Sequence, residues 1–511
     1  MGAKRLITLL FLCSAASCVT AVYAQESEGI RRLRNPIDHL LDAEPFENGF
    51  WGVHIVDIES GRVLYARNAG KSFVPASNTK LYTTAAALDL LGPDYRFETG
   101  LYTDGMVDEE GVLHGNVIVR GGADPTLGGH YLSDSGDWDE DIDALVVFRN
   151  WADSLRAAGI RRITGDLIGD DDVIDDVPLG VNWSWDDETW YYSAQLGGLA
   201  FHDNVIHLYV DGRTPGMPAN LTWEPLNTDY VQVINRTLTT EPGTGLKEGY
   251  QRQRGTNTIE VTTRVPAGAS ELEEITVENP TRYTVYVLRE TLLQSGIAVT
   301  GDPVDVDALS IKPAYETPSY RRVAIHRSAP LPEIASLINK PSQNLYADLL
   351  MKMLGAALPQ EDNDLDPGSA AMGIETAMST FARAGVDTSA IRLVDGSGLS
   401  RLNLVAPEMT TALLSFMWTH PDTRVRDAFY DSLPVAGQSG SLKHRMRRGL
   451  ATENMRGKTG TLTFASSLSG YVRAHDGRML AFSIMSNHHI SGSTGIRRIQ
   501  DAIVELLAGF E

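Results

Sequence analysis

The stretch "PASNTKLYTTAAALDLLGP" at residues 75–93 joins a polar start, an apolar run and a stop signal. Its alanines and leucines favour a helix, and the closing Gly-Pro pair ends one, so the sequence predicts a helix from about Ser77 to Leu91. Residues three apart share a face of a helix, which lets the Ser77 hydroxyl meet the Lys80 amine in the first turn. The unpaired N–H groups and positive dipole end of a helix N-terminus also suit a serine that must become an alkoxide.

A single S-x-x-K pair does not by itself establish catalysis. Ser77 could be an ordinary helix N-cap and Lys80 a solvated surface residue, and such pairs outnumber catalytic ones. Residues elsewhere in the chain have to decide between the two interpretations.

Residues 1–24 are predicted to be a secretory signal peptide, because two cations precede a short apolar run that ends in small residues. Both cysteines, Cys13 and Cys18, lie inside it, so a mature chain starting at Gln25 would contain no disulfide. We therefore expect the protein in the periplasm. Cys18 as the lipid-bearing cysteine of a lipoprotein is the alternative. The apolar run is short for a membrane span, so membrane association is expected to be peripheral at most.

The chain is acidic, with 66 Asp and Glu against 44 Lys and Arg and a formal net charge of −22. Nucleic acid is an unsuitable partner, because phosphate binding needs clustered cations. The acidic stretches 134–143 and 169–176 are interpreted as solvated faces. The first has Ile142 where a calcium loop of the EF-hand type needs glycine. With no H-E-x-x-H motif and no evident partners for His488-His489, neither a metal nor another cofactor is expected.

Two hairpins at opposite ends of the chain predict the main sheet. Residues 51–70 and 468–487 each show two alternating strands around a turn, and residues 495–510 form an amphipathic helix. The predicted fold class is therefore α+β, with one antiparallel sheet built from distant segments and flanked by helices.

The middle of the chain has a different pattern. Many short β-like runs, such as 257–268 and 273–296, lead us to predict a mostly β insertion at 97–315 that forms two subdomains. Residues 25–96 and 316–511 would then form a single domain.

Two further motifs resolve the question that Ser77 and Lys80 raise. Ser342-Gln343-Asn344 precedes a helical run, and Lys458-Thr459-Gly460 opens the strands before the final hairpin. S-x-x-K, S-x-N and K-T-G in this order are the motif set of serine β-lactamases and penicillin-binding proteins. Each motif is weak alone, but the ordered set in fitting contexts favours catalysis.

The sequence closely resembles the D-alanyl-D-alanine carboxypeptidase/endopeptidase family, the class C low-molecular-mass penicillin-binding proteins, over nearly all of the mature chain. Four secondary signatures carry the resemblance besides the motifs: residues 121–127, 163–172, 393–403 and 433–442. The resemblance implies a penicillin-recognising domain split by a large insertion. Asp348, where the family often has Glu, and Ala123, in a commoner Gly-Gly-Asp, depart from the pattern without removing a group needed for acyl transfer.

The resemblance and the chemistry assign roles. Ser77 would attack the peptide bond between two D-alanines while Lys80 takes its proton, and Ser342 would relay a proton to the leaving amine. Asn344 would hold the substrate backbone, and peptidoglycan stem peptides and cross-links would be the substrates. β-Lactams would be covalent inhibitors.

Four further residues complete the predicted substrate site. Lys458 and the hydroxyls of Thr459 and Thr461 would bind the carboxylate next to the scissile nitrogen, and the Thr461 N–H would help hold the oxyanion. By resemblance, Asp170 would face the amine of the third stem-peptide residue, although a solvated acidic loop is an equal alternative.

Two other functions share these residues. A secreted serine β-lactamase has the same three motifs, but the chain is long and lacks a convincing deacylation glutamate. A non-catalytic peptidoglycan-binding or sensor protein would not need a nucleophile and a base together.

Overall fold

The structure is a computed structural model that describes residues 28–129, 131–132, 138–139, 143–359 and 364–511. The predicted signal peptide at 1–24, with the alternative at Cys18, lies outside the described residues, as does Ile142.

Helices of eight or more residues are numbered in chain order: α1 Glu28–Leu41, α2 Thr79–Leu90, α3 Val146–Ala157, α4 Pro280–Gln294, α5 Leu331–Asn339, α6 Asn344–Ala357, α7 Ala370–Arg383, α8 Pro407–Trp418, α9 Thr423–Ser432 and α10 Ser493–Ala508. None of the helices in the described parts of the chain combines the length and apolar character needed to span a bilayer.

Strands are also numbered in chain order: β1 Phe50–Asp57, β2 Val63–Arg67, β3 Glu98–Thr103, β4 Met106–Val107, β5 Val112–His114, β6 Val117–Arg120, β7 Tyr131–Leu132, β8 Trp138–Asp139, β9 Arg162–Ile163, β10 Leu167–Asp170, β11 Val205–Asp211, β12 Asn220–Glu224, β13 Gln232–Asn235, β14 Leu238–Thr240, β15 Tyr250–Arg252, β16 Thr258–Val261, β17 Arg264–Pro266, β18 Ser270–Thr276, β19 Ala298–Val299, β20 Pro303–Asp305, β21 Arg321–Arg327, β22 Arg456–Leu462, β23 Ala465–Arg473 and β24 Met479–Asn487.

The main sheet has the order β2-β1-β24-β23-β22 and is antiparallel throughout. Its centre pairs β1, near the start of the chain, with β24, near the end, so distant segments share one sheet. Both predicted hairpins and the final helix are present, and the predicted α+β class is confirmed. Strand β22 lies at the sheet edge and carries the K-T-G motif.

Helices cover the main sheet on both faces. Residues of α1 and α10 pack in one buried cluster with apolar side chains of the sheet, including Trp51 and Phe482. A second cluster, on the opposite side, joins α2 and α5–α9 to sheet residues such as Tyr471 and Met485. Because every side chain of α2 from Thr79 to Leu88 is buried, the helix that carries the S-x-x-K motif is held from all sides.

In its described residues, the region inserted after α2 contains several small sheets and two helices of eight or more residues. Its largest sheet has the order β20-β10-β6-β3-β21 and mixes parallel with antiparallel pairs. Helices α3 and α4 share a separate apolar core with this region.

Part of the predicted β-like run at 273–296 is helical. Strand β18 ends at Thr276, and α4 begins at Pro280. The Asn279 side chain accepts a hydrogen bond from the Arg282 N–H, and proline occupies the first helical turn, so capping outweighs the β-branched composition.

The boundary predicted at residue 315 precedes the last strand of the inserted region. Strand β21 pairs with β3 in the inserted sheet. We therefore propose that the insertion runs from about Glu98 to Arg327 and leave its division into two subdomains as a proposal.

Candidate active site

Ser77 and Lys80 lie together at the start of the nucleophile helix. Residues Ala76–Asn78 form one 3₁₀ turn that leads directly into α2. The Lys80 ammonium group is fully buried, and its Nζ donates to the Ser77 Oγ at 3.1 Å. The predicted contact between residues three apart is present.

Lys80 is held by two further acceptors. Its Nζ donates to Asn344 Oδ1 at 2.6 Å and to the Ser397 carbonyl oxygen at 2.8 Å. Burial lowers the pKa of Lys80 to about 7, although the charges of Asp348 and Asp395 oppose this by favouring the ammonium. An amine that is neutral for part of the time near pH 7 can act as a general base.

Asp348 lies beneath this lysine and is itself buried. Its Oδ1 accepts the N–H groups of Gly396 and Ser397 at 2.7 and 2.9 Å, which fixes the carbonyl that Lys80 contacts. Burial and the neighbouring Asp395 raise the pKa of Asp348 to about 7. Burial therefore disfavours the charged form of both side chains, while each charge favours the other.

Ser342 and Lys458 form a second pair opposite the first. Ser342 has a φ of +73°, a strained value for a residue with a Cβ. Such strain persists where the surrounding structure enforces the conformation, which is common at functional sites. The Lys458 Nζ donates to the Ser342 Oγ at 2.8 Å and to the Thr459 carbonyl oxygen at 2.9 Å. Burial and the charge of Lys80 hold the pKa of Lys458 well below its usual value.

The K-T-G strand runs directly beside the nucleophile. A Cβ at Gly460 would lie 2.6 Å from the Pro75 carbonyl oxygen and 3.0 Å from the Ser77 nitrogen, so the approach requires glycine. The next residue, Thr461, is exposed and lines the cleft, and its Oγ1 accepts from Arg497 at 3.3 Å. Thr459 instead donates its hydroxyl to Ser441 Oγ at 2.8 Å.

These residues open onto a cleft of about 790 Å³. Of the predicted site residues, Ser77, Ser342, Asn344 and Thr461 line it. Lys80 and Lys458 are buried and do not line it, but each contacts side chains that do: Lys80 contacts Ser77 and Asn344, and Lys458 contacts Ser342.

The inserted region supplies one wall of the cleft, which sequence reasoning missed. Besides Asn182 and Ser184, the wall residues are aromatic or acidic: Trp183, Trp185, Asp186, Asp187, Tyr191 and Tyr192. The Asn344 Nδ2 donates to the Tyr192 carbonyl oxygen at 2.7 Å, which ties the S-x-N motif to this wall. The density of aromatic and acidic residues in "WSWDDETWYY" (183–192) was an available signal.

Arg401 on the opposite side was also missed. It lines the cleft and donates to the Thr463 carbonyl oxygen at 2.8 Å. Arg401 lies within the 393–403 signature, but nothing in its spacing indicates a place in the cleft.

Asp170 does not line the cleft. It ends β10, is 4% exposed, and accepts a hydrogen bond from the Tyr315 hydroxyl. Burial raises the pKa of the Asp170 carboxyl. The alternative of a solvated acidic loop is wrong for this residue, because its carboxyl is buried and hydrogen-bonded to Tyr315 and to the Asp172 N–H.

One group of three carboxylates in the described residues could hold a cation: Asp171, Asp176 and Asp307. None of them lines the cleft, and Lys312 contacts Asp307 at 2.8 Å, so an ammonium already lies beside the group. We assign no metal site to it.

Comparisons with known proteins agree with this arrangement. The family model of the D-Ala-D-Ala carboxypeptidase 3 (S13) family matches residues 33–510. A D-alanyl-D-alanine carboxypeptidase of Actinomadura sp. (strain R39) is 35% identical over 494 residues, covering 94% of this chain and 85% of that protein. The D-alanyl-D-alanine carboxypeptidase DacB of Haemophilus influenzae is 26% identical over 448 residues, covering 85% of each chain.

The fold also has a solved counterpart. The crystal structure of penicillin binding protein 4 from Haemophilus influenzae superposes with a TM-score of 0.75 at 23% identity, covering 91% of this chain and 98% of that one. This similarity shows the fold, whereas the family model and the relative from Actinomadura show the family to which the chain belongs. The chain belongs to the D-Ala-D-Ala carboxypeptidase 3 (S13) family.

Proposed function

We propose that the protein is a serine peptidase that removes the terminal D-alanine from peptidoglycan stem peptides through an acyl-enzyme. The observation that carries the proposal is the contact between the buried Lys80 amine and the Ser77 hydroxyl. A fully buried lysine with its pKa lowered to about 7 is suited to deprotonate a serine and unsuited to a purely structural ion pair.

In the first half of the reaction, neutral Lys80 accepts the Ser77 proton while Ser77 Oγ bonds to the carbonyl carbon of the penultimate D-alanine. The N–H groups of Ser77 and Thr461 would hold the resulting oxyanion, and the close passage of Gly460 beside the Ser77 nitrogen supports this placement.

Collapse of this intermediate breaks the C–N bond. The leaving amine then needs a proton, and Ser342, whose hydroxyl accepts a hydrogen bond from Lys458, would pass on to it the proton that Lys80 took from Ser77, which leaves Lys80 neutral again. The products of this half are free D-alanine and an ester at Ser77. Water, with Lys80 again as base, hydrolyses the ester and restores the enzyme.

We propose endopeptidase activity on cross-links at the same site, because a cross-link offers Ser77 the same D-alanyl carbonyl group as a stem peptide does. A diaminopimelate cross-link also presents a carboxylate next to the scissile nitrogen, as terminal D-alanine does. Acylation by β-lactams follows from the same chemistry. We propose a periplasmic location on the strength of the predicted signal peptide.

The proposal is tested by measuring D-alanine released from a synthetic peptide that ends in D-alanyl-D-alanine, together with cleavage of a purified cross-linked muropeptide dimer. Ser77→Ala should abolish both activities. Ser60→Ala, a change at a surface turn, is the matched control and should leave both unchanged. Activity that survives Ser77→Ala would refute a serine acyl-enzyme.

A further inference from the structure

A second cavity of about 460 Å³ adjoins the catalytic cleft, and we call it the rear cavity. One segment contributes to both spaces. Residues 175–181 contribute to the lining of the rear cavity, and residues 182–187 line the cleft. The size is within the range of small-molecule binding sites, which is about 300–1,000 Å³.

Most of the rear cavity wall is apolar. The apolar side chains come from the inserted segment, from α7 and the stretch just before it, and from the loop before α8; they include Val177, Val181, Leu196, Leu365, Ile374 and Leu393. Val177 and Val181 are 49% and 57% exposed, so apolar surface extends to the solvent side of the cavity. Such a surface favours a ligand with an apolar body.

Two buried carboxylates, Asp348 and Asp395, also line the rear cavity. Asp395 is satisfied on both oxygens, by the N–H groups of Gly398 and Ser400 among others. Asp348 is 3% exposed, and its buried Oδ2 has no hydrogen-bond partner among the described residues. An unpaired buried carboxylate oxygen is costly, and its cost is relieved by a donor, best of all a cationic one.

The charge of the lining points the same way. The lining contains the carboxyl groups of Asp175, Glu375 and the two buried aspartates, and one cationic residue, Lys352. The Lys352 ammonium contacts the Asp175 carboxylate and the Val177 carbonyl oxygen. The rear cavity therefore has an anionic excess on an apolar wall.

We propose that the rear cavity binds a small hydrophobic ammonium ion, with its apolar body against the Val181 and Ile374 wall and its N–H groups toward Asp348. A single water would satisfy Asp348 less well, because a buried water needs two to four polar partners and most of this wall offers none. An anion of the same size would be disfavoured by the anionic excess of the lining.

The rear cavity is also linked to the catalytic groups. Asp348 holds the Ser397 N–H at 2.9 Å, and the carbonyl of Ser397 accepts from Lys80. Asp395 accepts from the Trp183 indole N–H at 3.1 Å, and Trp183 lines the cleft. Ser397 thus links the Asp348 side of the rear cavity to the base Lys80, and Asp395 contacts the cleft wall directly.

The test is isothermal titration calorimetry of the purified protein with three probes of equal length: phenylbutylamine, phenylbutanol and phenylbutyrate. The amine should bind one molecule per chain, about ten- to a hundredfold more tightly than the alcohol, as a charge-assisted hydrogen bond contributes. The acid should bind more weakly than the alcohol. Asp348→Asn should remove the preference for the amine over the alcohol.

Two variants locate the site. Val181→Trp fills the solvent side of the cavity from an exposed position, and Ile374→Trp fills its interior; each should weaken amine binding at least tenfold. Val63→Trp, at a valine that is 43% exposed on the edge strand β2, is the matched control and should bind like the wild type.

Equal affinity for amine and alcohol, no binding at all, or amine binding that survives Val181→Trp would overturn the proposal. Because Ile374→Trp could disturb packing, its folding is checked by circular dichroism, and Val181→Trp alone decides if it fails. Binding is measured without turnover, so the result is independent of the proposed peptidase activity.

Discussion

Asp348→Asn should move the pH dependence of Ser77 acylation toward lower pH. Acylation requires neutral Lys80, so its rate rises with pH as that lysine loses its proton. The Asp348 carboxylate favours the ammonium form of Lys80 and thereby raises its pKa. Replacing the carboxylate by a neutral amide removes this effect, so the pKa of Lys80 falls and the neutral base appears at lower pH.

The structure also supplies the magnitude. An opposite charge nearby shifts a pKa by about one to three pH units. Burial and the neighbouring Asp395 raise the pKa of Asp348, which disfavours its charged form and weakens its effect on Lys80. We therefore expect a shift near the lower end, about one pH unit.

Asparagine is a conservative choice here. Its Oδ1 can still accept the two N–H groups of Gly396 and Ser397, and its amide nitrogen would replace Oδ2, the oxygen without a partner. The turn that positions Lys80 should therefore survive the substitution.

The assay is the second-order rate constant for penicillin acylation, followed by intact-protein mass spectrometry from about pH 5 to about pH 9. Asp170→Asn is the matched control, since Asp170 is also a buried carboxyl with a raised pKa but does not line the cleft. In Asp348→Asn, the pH at which the acylation rate constant reaches half of its maximum should fall. If this pH is unchanged or rises, the electrostatic link between Asp348 and Lys80 is refuted.

Three further predictions concern single residues. Lys80→Arg keeps a cation but cannot supply a neutral amine near pH 7, so penicillin acylation should fall by orders of magnitude while thermal unfolding changes little; near-normal acylation would remove Lys80 from the mechanism. Lys458→Ala should slow hydrolysis of a D-alanyl-D-alanine peptide, its C-terminal amide and a cross-linked dimer alike, by about ten- to a hundredfold, because the buried amine contacts Ser342; a loss that spares the amide would assign Lys458 to carboxylate recognition instead. Asp170→Ala should slow muropeptide cleavage yet spare penicillin acylation if Tyr315 yields to the substrate amine; equal effects on both reactions, or none on either, would reject that role.

Local patterns accounted for the elements that carry the motifs. The helix at 77–91, both end hairpins and the final helix depend on period, capping and turn residues, which are readable from neighbours in sequence. The S-x-x-K contact was predictable because it spans a single helical turn.

Long-range packing determined what the sequence left open. The burial of Lys458 behind Ser342 joins residues 116 positions apart, and the pairing of Asp170 with Tyr315 spans 145 positions. Neither contact can be recognised from the residues that neighbour it in the sequence. The cleft wall at 182–192 belongs to the inserted region, so only the folded chain reveals that it faces Ser77.

The error at 273–296 had a local cause. The β-branched and aromatic residues of α4 have the composition of a strand. The Asn279-Pro280 pair, however, is a helix start signal, with asparagine as the N-cap and proline in the first turn. This signal marks the break between strand β18 and helix α4.

The central claim is that Ser77 forms an acyl-enzyme, and intact-protein mass spectrometry after incubation with penicillin tests it most directly. We predict one slowly lost adduct per chain with the mass of intact penicillin, located on Ser77 by peptide mapping and absent from Ser77→Ala. Rapid penicillin hydrolysis without a persistent adduct would identify a β-lactamase, and an adduct that persists in Ser77→Ala, or no reaction at all, would contradict the assignment of Ser77 as the nucleophile.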